Sequence, residues 1–148
     1  MKLMAHARQT IREAVATTLT GLSTTASRVY QTRFHRLAQT DLPCLLIYTL
    51  AETVERSAMT DGKSLVRNLS LRVEGVAEAT SNLDDTLDNI GAEVEAALNE
   101  TSPASVEELL LQNVEINIST EGEKPTGMIA MDYLIIYRQT SGTPSEIL

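Results

Sequence analysis

The run "SLVRNLSLRVEGVAE" (64–78), "ATSN" (79–82), "LDDTLDNIGAEVEAALN" (83–99) decides the fold, with residues 65–98 as its core. Leu69, Leu71 and Val73 recur every second residue, with Ser70, Arg72 and Glu74 between them, the period of a strand with one buried and one wet face. The period then changes. Leu83, Leu87, Ile90, Val94 and Leu98 step by four, three, four and four, which makes one apolar stripe on a helix, and Asp84, Asp85, Asp88, Glu93 and Glu95 fall mainly off it. Ser81 or Asn82 can cap the first free amides, and the early aspartates sit where the helix dipole favours negative charge. Neither element satisfies its apolar side alone. The helix is therefore expected to lie on the sheet, each buried Leu, Ile or Val contributing roughly 1.5–3 kcal/mol.

Upstream, "PCLLIYTLAETVE" predicts a strand over 44–53, too apolar at first for an exposed edge, and the Asp61-Gly62 step predicts the turn that returns the chain into an antiparallel partner over 65–76. Ala7, Ile11, Val15 and Leu19 are four apart and predict an amphipathic helix over 5–20, with Gly21 as a left-handed cap and Leu22 folded back on the last turn as in a Schellman ending. His6 reads as a helix-surface residue. Between helix and strand lies "STTASRVYQTRFHRLAQTDLP", basic in an acidic chain, where Arg28, Arg33, His35 and Arg36 interleave with Tyr30 and Phe34. An RNA-binding segment is one reading of it. A short strand and loop, whose arginines pair with carboxylates of the same or a neighbouring chain, is the preferred one.

Downstream, "NETSPASVEELLLQ" reads as a connection with a cap at Ser102 or Ser105 and a short helical turn. Val114, Ile116 and Ile118 then alternate with polar residues, as do Ile129, Met131, Tyr133, Ile135 and Tyr137 further on, so two more strands are expected. The polar tip 121–127 is longer than hairpin closure requires, which nominates Glu121, Glu123 and Lys124 as a docking loop. Residues 140–148 read as an unanchored tail. The fold class is α+β: a mainly antiparallel or mixed sheet, two principal helices on one face, and a closing hairpin, in a single domain over 1–148.

A chain of 148 residues can bury about 68–70% of its unfolded surface without a staple. Its single cysteine, Cys44, excludes an internal disulfide and reads as a small core hydrophobe. The N-terminus has no apolar core of signal-peptide length and no apolar run approaches a membrane span, so a soluble protein, cytoplasmic when made, is expected. A net charge of −8 opposes general nucleic-acid binding, which needs clustered Lys and Arg. Asp84, Asp85 and Asp88 lack calcium-loop spacing and read as a solvated helix face. No phosphate loop, paired cysteines, nucleophile elbow or "HExxH" is present, so neither catalytic residues nor metal nor cofactor is nominated.

Taken in order, the leading helix, "SRVYQTRFHRLAQTDLPCLLIYTLAE", "RNLSLRVEGVAEA", "NLDDTLDNIGAEVEAAL" and a hairpin ending in "YLIIYRQ" resemble the tail terminator proteins of long-tailed bacteriophages, the lambda minor tail protein U family. The resemblance spans nearly the whole chain. It implies a virion protein at the head-proximal end of the tail, assembled in the host cytoplasm: a hexameric ring of identical subunits that stops tube polymerisation and offers a surface for head joining. Its implied partners are other copies of itself, the tail tube protein and a head-completion or connector protein. DNA would pass through the lumen unbound, past a wall to which Asp84, Asp85 and Asp88 add negative charge. Arg28, Arg33 and Arg36 are then candidates for inter-subunit or anion contacts. The alternatives are another head-to-tail connector or neck protein and, from a different class, a small RNA-binding α+β module using Arg28, Tyr30, Arg33, Phe34 and Arg36.

Overall fold

The computed structural model describes residues 5–32, 41–56, 63–79, 81–99, 103–121 and 124–148. Its elements are α1 (Ala7–Leu19), β1 (Val29–Tyr30), β2 (Cys44–Arg56), β3 (Ser64–Glu78), α2 (Leu83–Asn99), a tight turn at Pro103–Ser105 in which Ala104 and Ser105 are left-handed (φ +56° and +57°), β4 (Glu108–Ser119) and β5 (Thr126–Thr140). The five strands form one mixed sheet in the order β1-β2-β3-β5-β4; only the β1–β2 pairing is parallel. The fold is α+β with an open sheet, as the two periods predict.

Alternation fixes which face is buried. Leu69, Leu71 and Val73 of β3 stand opposite Ile135, Tyr133 and Met131 of β5, and cross-strand partners share a face. All six join one core with Ala7, Ile11, Val15 and Leu19 of α1 and Leu83, Leu87, Ile90, Val94 and Leu98 of α2, so both helices lie on the same side. Cys44, Leu46 and Val76 make a small second cluster on the other face, with Tyr30, Leu42, Tyr48 and Met128 packed around it. This two-sided burial is why the first half of β2 is apolar without alternation.

The seat of α2 depends on missing side chains. A Cβ on Gly75 of β3 would lie 2.6 Å from Ile90 Cγ2 and 3.0 Å from Ile129 Cγ2, and a Cβ on Gly127 of β5 would lie 2.7 Å from Leu87 Cδ1. The helix therefore packs on β3 and β5 at a distance that only glycine permits.

Four expectations need correction. The strand expected over 114–119 begins at Glu108, and a register shift between Leu111 and Asn113 puts Leu109 and Leu111, then Val114, Ile116 and Ile118, on one face despite the change of parity. Gly21 is left-handed (φ +95°), but its amide donates to the Ala26 carbonyl at 2.8 Å, so α1 ends in a small closed loop and not in a Schellman pair. His6 is the N-cap of α1: its Nδ1 accepts from the Arg8 amide at 3.1 Å, and burial followed by the charges of Arg8 and Arg67 pushes its pKa down toward the neutral, accepting form. The closing residues are anchored. The Pro144 carbonyl accepts from the Ala7 amide at 2.7 Å and Gln139 Nε2 at 2.8 Å, and Leu148 donates to the Arg138 carbonyl, because the first amides of α1 lack helical partners of their own. The turn expected at Asp61-Gly62 and the cap at Ser102 lie outside the described residues.

Replacing Gly75 with alanine is expected to destabilise the protein by about 1–3 kcal/mol, since Ile90 and Ile129 must both move. Urea unfolding checks this: a lower midpoint at unchanged slope is expected, and an unchanged midpoint contradicts the close seat of α2.

Candidate assembly interface

β4 ends the sheet. It pairs with β5 on one side, and no described strand lies on the other. Val114, Ile116 and Ile118 stand opposite Met131, Ile129 and Gly127, on the helix side of the sheet, yet are 43%, 48% and 46% exposed; Leu110 and Leu111 are 42% and 36% exposed. An edge strand of a solitary protein is commonly blunted by Lys, by Pro or by shortness. "ELLLQNVEINIS" has neither residue and runs for 12 positions, interrupted only by the register shift between Leu111 and Asn113, and among the described residues no strand covers its outer backbone groups, which lie beside a row of large apolar side chains.

An open groove of about 450 Å³ separates α2 from β4, lined by Glu95, Ala96, Leu98, Asn99, Leu109, Leu111 and Tyr133. Tyr133 forms part of its wall, 4% exposed, and its hydroxyl has no hydrogen-bond partner. Burial, then the nearby Glu95 charge, pushes the phenol up to about 12, so it is a neutral hydroxyl across the physiological range. The groove thus combines the apolar Ala96, Leu98, Leu109 and Leu111 with one carboxylate, one amide side chain and one unused hydroxyl.

The polar groups elsewhere are mostly satisfied internally. Glu52 on β2 receives Arg8 Nη1 and Arg67 Nη1, both at 2.7 Å, and the Tyr137 hydroxyl at 2.6 Å. Burial alone would push this carboxyl up, but the hydrogen bonds from Tyr137, Arg67 and Arg8 outweigh it and hold it below the usual carboxylate range. Arg72 and Asp132 form a two-pronged pair at 2.7 and 3.0 Å on the face away from the helices, and Tyr48 donates to Glu74 beside them. Cys44 is buried, which pushes its thiol up to about 11, as a core residue's should be.

The nominated residues are scattered. Arg28 is turned inward, its Nε donating to the Pro43 carbonyl at 2.7 Å and its Nη2 to the Thr24 carbonyl at 3.1 Å, so it braces the loop before β1 through carbonyls, not carboxylates. Arg33, Arg36 and Glu123 lie outside the described residues. Glu121 and Lys124 are exposed in the connection 120–125, which is anchored at its base by the Ala79 amide on the Pro125 carbonyl at 3.2 Å. Asp84, Asp85 and Asp88 are exposed on the outer side of α2, the first two in its opening turn. Among the described residues no group of three or more His, Cys, Asp or Glu side chains converges as a metal site, and no helix is long and apolar enough to cross a membrane. The α2–β4 groove was not nominated from the sequence. Its only trace there is the unbroken "ELLL", whose exposure depends on strand order.

No family model matches the chain, and comparison with curated proteins finds no match either.

Tyr133→Phe removes a buried hydroxyl that bonds to nothing, so it is expected to leave the isolated protein as stable or up to about 1 kcal/mol more stable. A loss above about 1 kcal/mol in thermal or urea unfolding would mean that the hydroxyl is satisfied in the folded chain.

Proposed function

We propose that the protein is a structural subunit that closes into a ring, a hexamer by resemblance, on the head-proximal end of a phage tail tube, where it ends polymerisation and offers the surface to which the head joins. The observation that carries this reading is the uncovered β4: a ring of identical subunits needs an adhesive surface that a solitary chain is better without. The resemblance supplies the setting, namely the tube protein on one side, a head-completion or connector protein on the other, and DNA in the lumen. A net charge of −8 per copy supports free passage of DNA, since like charge repels phosphate from the wall, to which Asp84, Asp85 and Asp88 contribute. The role is mechanical, with no catalytic residue and no cofactor. Two bonds from Arg28 to carbonyls of its own chain favour bracing over RNA contact for that side chain.

Within this reading the connection 120–125, with Glu121 and Lys124 exposed, is the part that docks on a partner ring. Two strands in register up to Ser119 and Thr126 can be joined by a two-residue Asn-Gly turn. Labelled protein added to tail tubes purified from the encoding virus is expected to mark one end only and to stop their growth. The variant with 120–125 replaced by Asn-Gly is expected to keep its melting temperature within a few degrees and lose the end label. Bare tube ends with the unaltered protein would overturn the terminator reading, and normal labelling by the variant would remove the loop from it.

A further inference from the structure

The sheet has a second open stretch. β1 covers only Leu45 and Leu46, and residues 47–56 of β2 continue with no described strand on their outer side, Leu50 and Val54 being 41% and 46% exposed. The two open edges differ in length, side chains and charge, and this bears on how copies can meet.

The elements on the β4 side carry acid with no base of their own. From Arg72 to Lys124 the chain has no Lys, Arg or His, and that interval contains all of α2 and β4 with Glu95, Glu107, Glu108 and Glu115. A two-fold contact of β4 on its own copy would set Glu108 and Glu115 among their equivalents with no base on either strand, and like charges facing across strands are unfavourable. The other side, in α1, the loop before β1 and β2, carries both signs, Arg8, Arg12, Arg28 and Arg56 beside Glu13, Glu52 and Glu55, with Arg8 already on Glu52 and Arg28 on carbonyls of its own chain.

We infer that β4 and the groove beside α2 receive the β2 edge of a second copy, head to tail, continuing the sheet from one subunit into the next. In this contact Leu111, Val114 and Ile116, on the helix side of the sheet, cover Leu50 and Val54 of the neighbour, the neighbour's α1 with Arg12 faces Glu95 on α2, and a side chain entering the groove supplies the partner that the Tyr133 hydroxyl lacks. A contact between unlike surfaces repeats until the rotation closes, so it generates rings, whereas a two-fold contact stops at a dimer. The inference rests on the ring reading above and adds which two surfaces meet.

Two double variants test it, each placed on exposed positions so that folding is retained: Val114→Lys with Ile116→Lys on β4, and Leu50→Asp with Val54→Asp on β2. Light scattering measures mass against the 16.2 kDa monomer. The unaltered protein is expected to assemble with rising concentration, each variant alone to stay at the monomer mass with a melting temperature near that of the parent, and their equimolar mixture to regain at least twice the monomer mass. Should a variant not fold, Ile116→Thr and Val54→Thr repeat the comparison with a smaller change. Three results would each overturn the inference: an unaltered protein monomeric at every concentration, a β2 variant that assembles alone like the parent, or a mixture that stays monomeric. Failure of the terminator reading looks different, as assemblies that obey these rules yet never bind tail tubes.

Discussion

The structure depends on how deeply α2 can sink into the sheet. Gly75 and Gly127 leave hollows under Ile90 and Leu87, and the helix fills them, so its apolar stripe is spent on β3 and β5. Gly91 on the helix belongs to the same fit, since a Cβ there would lie 3.1 Å from Ile129 Cδ1. α1 covers the β2 side in the same layer. Two helices thus complete the core over β2, β3 and β5, and β4, one strand further out, keeps its apolar row in water. The exposed strand follows from where the helix is held. It is not a surface peculiarity added to a finished fold.

α1 is held to the sheet by more than its stripe. Arg8 reaches from its first turn to Glu52, which also binds Arg67 of β3 and Tyr137 of β5, so one carboxylate joins three elements besides its own. Removal of any one donor would leave the others around a buried charge, which is costly, whereas the intact group contributes mainly by fixing how the parts meet. The closing residues add a second tie through the Pro144 carbonyl on the Ala7 amide. The α1 side of the molecule is therefore braced by polar contacts, while the β4 side is apolar, open and acidic.

Much of this is legible in the residues themselves. Period two in "LSLRV" and "MIAMDYLIIY" gave the buried faces, and the four-three-four-four spacing gave α2 and its side, because both signals come from burial on one face of a regular element. The bulge in β4 was not legible, since one extra residue shifts the phase and makes a continuous strand read as a loop plus a shorter strand. Nor was the pairing of β3 with β5, which joins residues some sixty positions apart and sets β4 outermost. The Glu52 group shows the same limit: Arg8, Arg67 and Tyr137 are ordinary polar residues until the topology brings them together. The groove and its spare hydroxyl belong to that class as well, and their meaning as an interface rests on strand order, charge and exposure, not on any motif.

The central claim is that β4 is an edge kept open in the single subunit and closed by a neighbour. Amide hydrogen exchange, followed residue by residue over 108–119 at increasing protein concentration, tests it most directly. At low concentration alternate amides of β4, those turned away from β5, should exchange rapidly while β3 and β5 are protected; in the assembled state these same amides, and those on the outer side of β2, should become slow together. Outward β4 amides that remain unprotected in assembled protein, or that are already protected in the monomer, would contradict the account.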